Sequence, residues 1–323
     1  MSIERVRINR DSPRLRRRRT KPSRPSLALR LILAAILVGG VAGFGAVATN
    51  AFGMGVLYER LLSRIERVIA GPPPDRPTLP TVTVTPKPAT PSPRATPSLP
   101  PPASGQPSPT AAPTPTAIPR VAVDVKIVKH PDAVFAHELR DDWCSPAGVT
   151  IVLAILGHGD PTDAREREIA GRVREWESKA DSINGEWGPA AMALALKAYG
   201  ADGYEIRAYE TRADALRDSA RAIATTHSPV ILLAWRGAHT WVMSGYRADA
   251  DPTVFEDAKV TGAYILDPWY PWNSSIWGQS DKPGTFQDSA EMVRNFLPWK
   301  RPEGHYPDRD GKWIVLIPTI PVG

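Results

Sequence analysis

Residues 71–120 limit the possible folds more than any other stretch. They hold about half of the chain's 35 prolines, mixed with Thr, Ser and Ala, as in TPKPATPSPRATPSLPPPASGQPSPT. Proline at this density removes backbone donors and fixes φ, so neither helix nor sheet propagates through it. The expected state is a disordered, extended polyproline II stalk, rising about 3.1 Å per residue. Whatever folds must lie on either side.

On the N-terminal side, residues 1–30 form a basic tail that includes RLRRRRTK at 14–21. An uncharged stretch, 31–57, follows directly. A hydrocarbon core of about 30 Å needs roughly 20 such residues. Arginines before the span and few charges after it predict a signal anchor with a cytoplasmic N-terminus. A cleaved signal peptide competes, because AVATNA at 46–51 has small residues at suitable spacing. Its apolar run would exceed the 7–15 residues usual there. In either case the remainder leaves the cytosol, which sets the basic tail and the folded domain on opposite sides of the membrane. Nucleic-acid binding is therefore not expected. Residues 58–70, YERLLSRIERVIA, read as a short amphipathic helix that could pair with a second copy of the chain.

The folded part, 121–323, is long enough for one sizeable core. An edge strand is expected at 121–128. Helices are expected at 146–156, 163–179, 189–199, 213–225 and 289–296, and strands at 204–209, 229–235, 239–246, 263–266 and 312–317. Helices come mostly first and strands mostly later, which is an α+β plan with a helical half on an antiparallel sheet. There is no glycine-rich phosphate loop and no paired cysteine for zinc, so neither cofactor nor metal is expected.

One cysteine excludes an internal disulfide. Cys144 stands in DDWCSPAGVTIVLAILG at 141–157, with Ser145 as a cap, Pro146 at the first helical position and Gly157 just past the end. A thiol at a helix N-terminus feels the positive end of the macrodipole, which favours the thiolate. Taken alone, it is equally well a small buried hydrophobe. A thiolate nucleophile needs a base, and the base needs a group that orients it. Of six histidines, His130, His137, His158, His227 and His305 lie in polar or turn segments. His239 opens an apolar strand, where the sheet would fix it while it faces a cleft. Asp267 ends the next strand, and an antiparallel pair brings that end beside the start of its neighbour. By itself an Asp-Pro pair is a turn former.

The order Cys, His, Asp across WCSPAGVTIVLAILG, GPAAMALALKAYG, RADALRDSARAIA, SPVILLAW, AHTWVMSGY and YILDPW resembles papain-like cysteine peptidases. The resemblance is to the bacteriocin-leader-processing (double-glycine) group and its exported relatives, and it covers roughly the folded domain. It implies Cys144 as nucleophile, His239 as general base and acid, Asp267 as orienter, and a thioester intermediate. Two positions depart from the family. Ser145 stands where glycine is usual. Glu138 stands six before the cysteine, where relatives carry a glutamine that donates to the oxyanion. An ionised carboxylate there would repel the charge that develops. Either another donor substitutes, such as the Trp143 indole or an amide in 140–143, or catalysis is weak.

Trp269 and Trp272 follow Asp267 and could line a substrate cleft, the alternative being packing beneath a loop. The leading expectation is a membrane-anchored extracytoplasmic peptidase acting on peptides or proteins. A catalytically weak surface module binding peptide or cell-wall ligand, and a cell-wall amidase or transpeptidase, are the alternatives.

Overall fold

The computed structural model describes residues 27–49, 54–85, 118–182, 187–301 and 304–321. The chain divides into two units, Met1–Tyr58 and Glu59–Gly323. In the first, helix α1 (Leu27–Ala48) presents Ile36, Leu37, Val38, Val41 and Phe44 to the surroundings. It stops before the expected end of the apolar stretch, and the Thr49 hydroxyl turns back onto the Gly45 carbonyl at 2.7 Å. A further helix, α2 (Met54–Ala70), includes residues 54–57, and residues 50–53 lie outside the described residues. Among the described residues no helix is long and apolar enough to cross a membrane. The basic tail as far as residue 26 lies outside the described residues.

The second unit begins earlier than proline content suggests. Gly71 ends α2 at φ 71°. The next residues lie along the domain, where Arg174 donates to the Gly71 and Pro72 carbonyls and Lys179 N–H to that of Pro74. A polyproline-type backbone leaves its carbonyls free, and arginines supply the donors. Strand β1 (Thr81–Val84), a proline-free β-branched tetrapeptide, then adds parallel to β3 (Tyr204–Tyr209). Residues 71–84 therefore belong to the domain and not to a stalk. Residues 86–117 lie outside the described residues.

The remaining strands are β2 (Val123–Lys126), β4 (Val230–Leu233), β5 (His239–Ala248), β6 (Val260–Leu266), β9 (Thr285–Asp288) and β10 (Trp313–Pro318), with a two-residue pair β7 (Asn273–Ser274) and β8 (Gly278–Gln279) outside the main sheet. The sheet runs β1-β3-β10-β4-β5-β6-β9, with β2 on β5, and is antiparallel except at β1. The helices are α3 (Pro131–Val134), α4 (Cys144–Ile155), α5 (Asp163–Gly171), α6 (Val173–Trp176), α7 (Pro189–Ala198), α8 (Arg212–Thr226), the single turn α9 (Ala234–Gly237) and α10 (Ser289–Asn295).

Both faces of the sheet are covered. Ile231, Leu233, Val242 and Leu316 pack with α4 and α7 on one face. Val230, Leu232, Met243 and Val315 pack with α8 and α10 on the other. The alternation is the two-residue period of a strand. It explains why PVILLAW reads as a continuous apolar run rather than alternating. The α+β expectation holds, but the helices are not confined to one side.

Helix α7 is placed by a charge from elsewhere in the chain. Its cap position is Gly188, and the buried Asp181 carboxylate accepts the Ala190 and Ala191 N–H groups at 3.1 and 3.0 Å. A side chain at 188 would collide with that carboxylate. Arg309 closes the cluster, donating to Asp181 Oδ1 at 2.7 Å and to its carbonyl at 3.1 Å. Both charges are buried, so their Coulomb attraction mainly offsets desolvation.

Candidate active site

Helix α4 starts at Cys144, two residues before the proline expected to open it, with Trp143 as cap residue and no side-chain cap. Ser145 does not cap; its hydroxyl reaches Thr240 Oγ1 at 3.2 Å, tying the helix to β5. Pro146 sits in the first turn, where its missing N–H costs nothing because those donors have no intrahelical acceptor. Residues 145–153 are all buried, so the helix crosses the core with its dipole pointing the positive end at Cys144.

Gly148, one turn into α4, fixes how closely the helix approaches the sheet. A Cβ there would come within 2.5 Å of Thr240 Cγ2. Thr240 is buried beside His239, so this contact sets the distance between the Cys144 thiol and the imidazole. Gly148→Ala is expected to lift the helix and lower kcat/KM by about tenfold to a hundredfold, because displacements near 1 Å at reacting groups cost that much. The check is kcat/KM together with the melting temperature. Unchanged kinetics in a folded variant would show that this contact does not position the thiol.

His239 opens β5 after the α9 turn, in which Trp235 and Arg236 both adopt left-handed backbone (φ 51° and 62°). The turn carries the Trp235 ring onto the imidazole, with centroids 4.0 Å apart and planes 17° from parallel. Trp235 Nε1 is fixed by donating to Asn295 Oδ1 at 3.1 Å. Register Val242↔Leu266 between β5 and β6 brings the start of one strand beside the end of the other. His239 Nε2 lies 2.6 Å from Asp267 Oδ1, and the same oxygen accepts the Trp269 N–H at 2.9 Å. Both side chains are buried.

The Cys144 Sγ, a His239 ring nitrogen and a Glu138 carboxylate oxygen all lie within 4.8 Å of one another. Nε2 is engaged by Asp267, which leaves Nδ1 for the thiol. Burial alone would raise the Cys144 pKa. The hydrogen bond and charge of His239, with Thr240, outweigh it and hold the thiol below its ordinary value. Burial alone would lower the His239 pKa, but Asp267 and then Cys144 carry it well above the ordinary imidazole value. The two shifts favour a thiolate–imidazolium pair. The same three groups are the one cluster of metal-ligand types found among the described residues. A thiol resting on an imidazole demands the same proximity, so the cluster carries no separate metal assignment.

The pair opens on a cleft of about 900 Å³ lined by Trp143, Trp235, Trp269 and Trp299. Trp143 lies under the Arg140 guanidinium, 4.9 Å from ring centroid to Cζ. Trp269 stands edge-on to His239, with centroids 6.4 Å apart. Trp272 is not among the cleft-lining residues. It packs edge-on against His137 (4.3 Å) and Trp269 (5.0 Å), so it supports the cleft wall. Trp235 lies outside the expected cleft residues; its signal is a tryptophan four before the histidine in a turn that needs Gly237. Glu138 is buried, held by its N–H to the Pro268 carbonyl at 3.0 Å.

A cysteine at the start of a buried helix, packed on an antiparallel sheet that carries histidine and aspartate at neighbouring strand ends, fits the papain-like cysteine peptidases. Residues 123–295 match the model of the Peptidase_C39 like family. That is more than half of the chain, which belongs to this family. Searches of curated proteins and of solved structures returned no match.

Proposed function

We propose that the chain is a membrane-anchored, extracytoplasmic cysteine peptidase that cleaves peptide bonds with Cys144, His239 and Asp267. The observation that carries this reading is the convergence of thiol, imidazole and carboxylate at the mouth of α4. The Cys144 thiolate attacks the scissile carbonyl carbon, and the C=O electron pair moves to oxygen. As the C–N bond breaks, the His239 imidazolium gives its proton to the leaving amine, which leaves an acyl thioester on Cys144. His239 then takes a proton from water, the resulting hydroxide attacks the thioester, and the thiolate departs with the acid product released. Helix N–H groups at the start of α4 have no intrahelical acceptor and face the forming oxyanion.

Placement outside the cytoplasm rests on arginines 14–19 ahead of the apolar stretch 31–57, which would anchor the chain with its N-terminus inside. The exposed Leu61, Ile65, Val68 and Ile69 of α2 suit a homodimer at the membrane-proximal helix. The substrate is a peptide or protein segment, laid along the tryptophan-lined cleft.

The test is the rate of Cys144 alkylation by iodoacetamide on the full chain, from pH 4 to 10. The wild type is expected to react as a thiolate below pH 7. In His239→Ala burial is no longer opposed, so the thiol is expected to titrate above about 8.5, the value of a free cysteine. A wild-type thiol that titrates near 8.5 and ignores the substitution would remove the catalytic pair, and the peptidase reading with it.

A further inference from the structure

The turn that brings Trp235 onto the His239 imidazole is fastened more firmly than a link between two strands requires. Among the described residues three non-glycine positions have left-handed backbone, and two of them, Trp235 and Arg236, stand side by side here at φ 51° and 62°. A bulky residue adopts that region where its surroundings enforce it. The Lys300 N–H holds the turn at the Arg236 carbonyl, 3.1 Å away. The indole is fastened separately. Its Nε1–H donates to Asn295 Oδ1 at 3.1 Å. Asn295 is buried, and its amide is oriented by donating from Nδ2 to the Glu291 carbonyl and to Glu291 Oε2, both at 3.2 Å. Trp277, carried between β7 and β8, stacks parallel to the indole at 5.7 Å, and Trp269 meets it edge-on at 6.1 Å. The ring that lies against His239 at 4.0 Å is therefore a rigid surface.

We propose that Trp235 is the positioning residue of the histidine: its indole face sets the plane of the His239 ring and so aims Nδ1 at the Cys144 thiol. This rests on the peptidase reading above. The Asp267 bond at Nε2 fixes one point of the ring and leaves rotation about it, and the χ2 torsion of a histidine has a broad minimum of its own. A parallel surface removes that freedom. Trp269, edge-on to the imidazole at 6.4 Å, sets no plane. The indole face also attracts a protonated imidazole more than a neutral one, through the quadrupole of the ring. The other groups that face His239 are Asp267 from the end of β6, Cys144 from α4 and Glu138 from the segment before α4. Asp267 and Cys144 raise the imidazole's proton affinity, burial holds the Glu138 carboxyl well above the ordinary range, and Arg236 of the turn itself is exposed. Trp235 acts through His239 and enters no covalent step.

The experiment compares wild type, Trp235→Leu, Trp235→Phe and Asn295→Ala as full chains. It reads the pH profile of Cys144 alkylation by iodoacetamide, and kcat and KM for the best-cleaved member of a quenched-fluorescence peptide library. Trp235→Leu removes the flat face, so kcat is expected to fall about tenfold to a hundredfold with KM little changed, the usual cost of displacing a reacting group by about 1 Å. Trp235→Phe and Asn295→Ala keep a face and lose its anchor, so both should fall between leucine and wild type. In Trp235→Leu the acid limb of alkylation should move to higher pH, because an imidazolium turned aside no longer favours the thiolate. The alkaline limb of kcat/KM should move to lower pH, because the charged ring loses its attraction to the indole. Trp235 also lines the cleft, and a side chain that only contacts substrate would move neither limb. A rise in KM at unchanged kcat, with a wild-type alkylation profile, overturns the positioning role alone. Where Trp235→Leu does not fold, a wild-type profile in Asn295→Ala overturns it instead. A wild-type thiol that titrates at about 8.5 and ignores His239→Ala overturns the peptidase reading, and the positioning role falls with it.

Discussion

Cys144→Ala is expected to reduce peptide hydrolysis by about 10⁴-fold or more, since losing a covalent nucleophile removes the whole thioester route. The fold should survive. Cys144 is half-buried, and alanine is the best helix former at a position where no cap hydrogen bond is at stake. Cys144→Ser separates nucleophile chemistry from size. A serine hydroxyl is far less acidic than a thiol, and a site built to hold a thiolate beside an imidazolium supplies no base at the start of the reaction. Serine is therefore expected to behave as alanine does, within about tenfold, by the same logic of matched pKa values. Residual activity in both should be insensitive to iodoacetamide. Either variant cleaving the library at a wild-type rate, with an intact melting transition, would eliminate Cys144 as nucleophile.

The positions of the site residues are legible in the sequence for a local reason. Cys144, His239 and Asp267 each stand at an element boundary: a helix start, a strand start and a strand end. Boundaries are marked by capping and turn residues and by the onset of apolar runs, which a single sequence displays. Thr211 capping α8 is a case in point, accepting the Asp214 N–H at 3.1 Å as its position implies. Composition was a poorer guide where tertiary contacts decide. Prolines 72–74 look like the start of a stalk, yet Arg174 and Lys179 take up their region's carbonyls and TVTV finds a sheet edge. The helix covering of the second face was hidden for a similar reason. A strand buried on both sides and a buried helix segment give the same apolar run. Trp235 is not legible in the sequence, because a left-handed backbone at a tryptophan has no signature there beyond the nearby Gly237. Residue type alone states the ordinary charge of Glu138, whereas its charge in the fold depends on which neighbours bring donors.

The strongest remaining test of the site is Asp267, which does two separable things. Its Oδ1 accepts from His239 Nε2 at 2.6 Å, fixing the ring so that Nδ1 faces the thiol, and its charge raises the imidazole's proton affinity. Asp267→Asn can keep the first function through its amide oxygen but removes the second. Asp267→Ala removes both and leaves a buried ring N–H and the Trp269 N–H without an acceptor. The ion pair exists between the lowered thiol pKa and the raised imidazole pKa. Losing the Asp267 charge lowers the upper bound, so in Asp267→Asn the alkaline fall of kcat/KM should begin at lower pH, with a modest loss at its optimum. Asp267→Ala should lose about 10²–10⁴ at every pH, as expected when a catalytic histidine is misoriented. Stability follows the same sign. A histidine whose folded pKa is raised by its partner contributes stability that is fully present below about 6.5 and lost as pH rises through the raised value. The wild type should therefore exceed Asp267→Ala in melting temperature most at low pH, with the gap closing as His239 loses its proton. Equal activity losses in Asn and Ala would assign the effect to charge alone, and full activity in Ala would show that Asp267 does not hold the imidazole for catalysis.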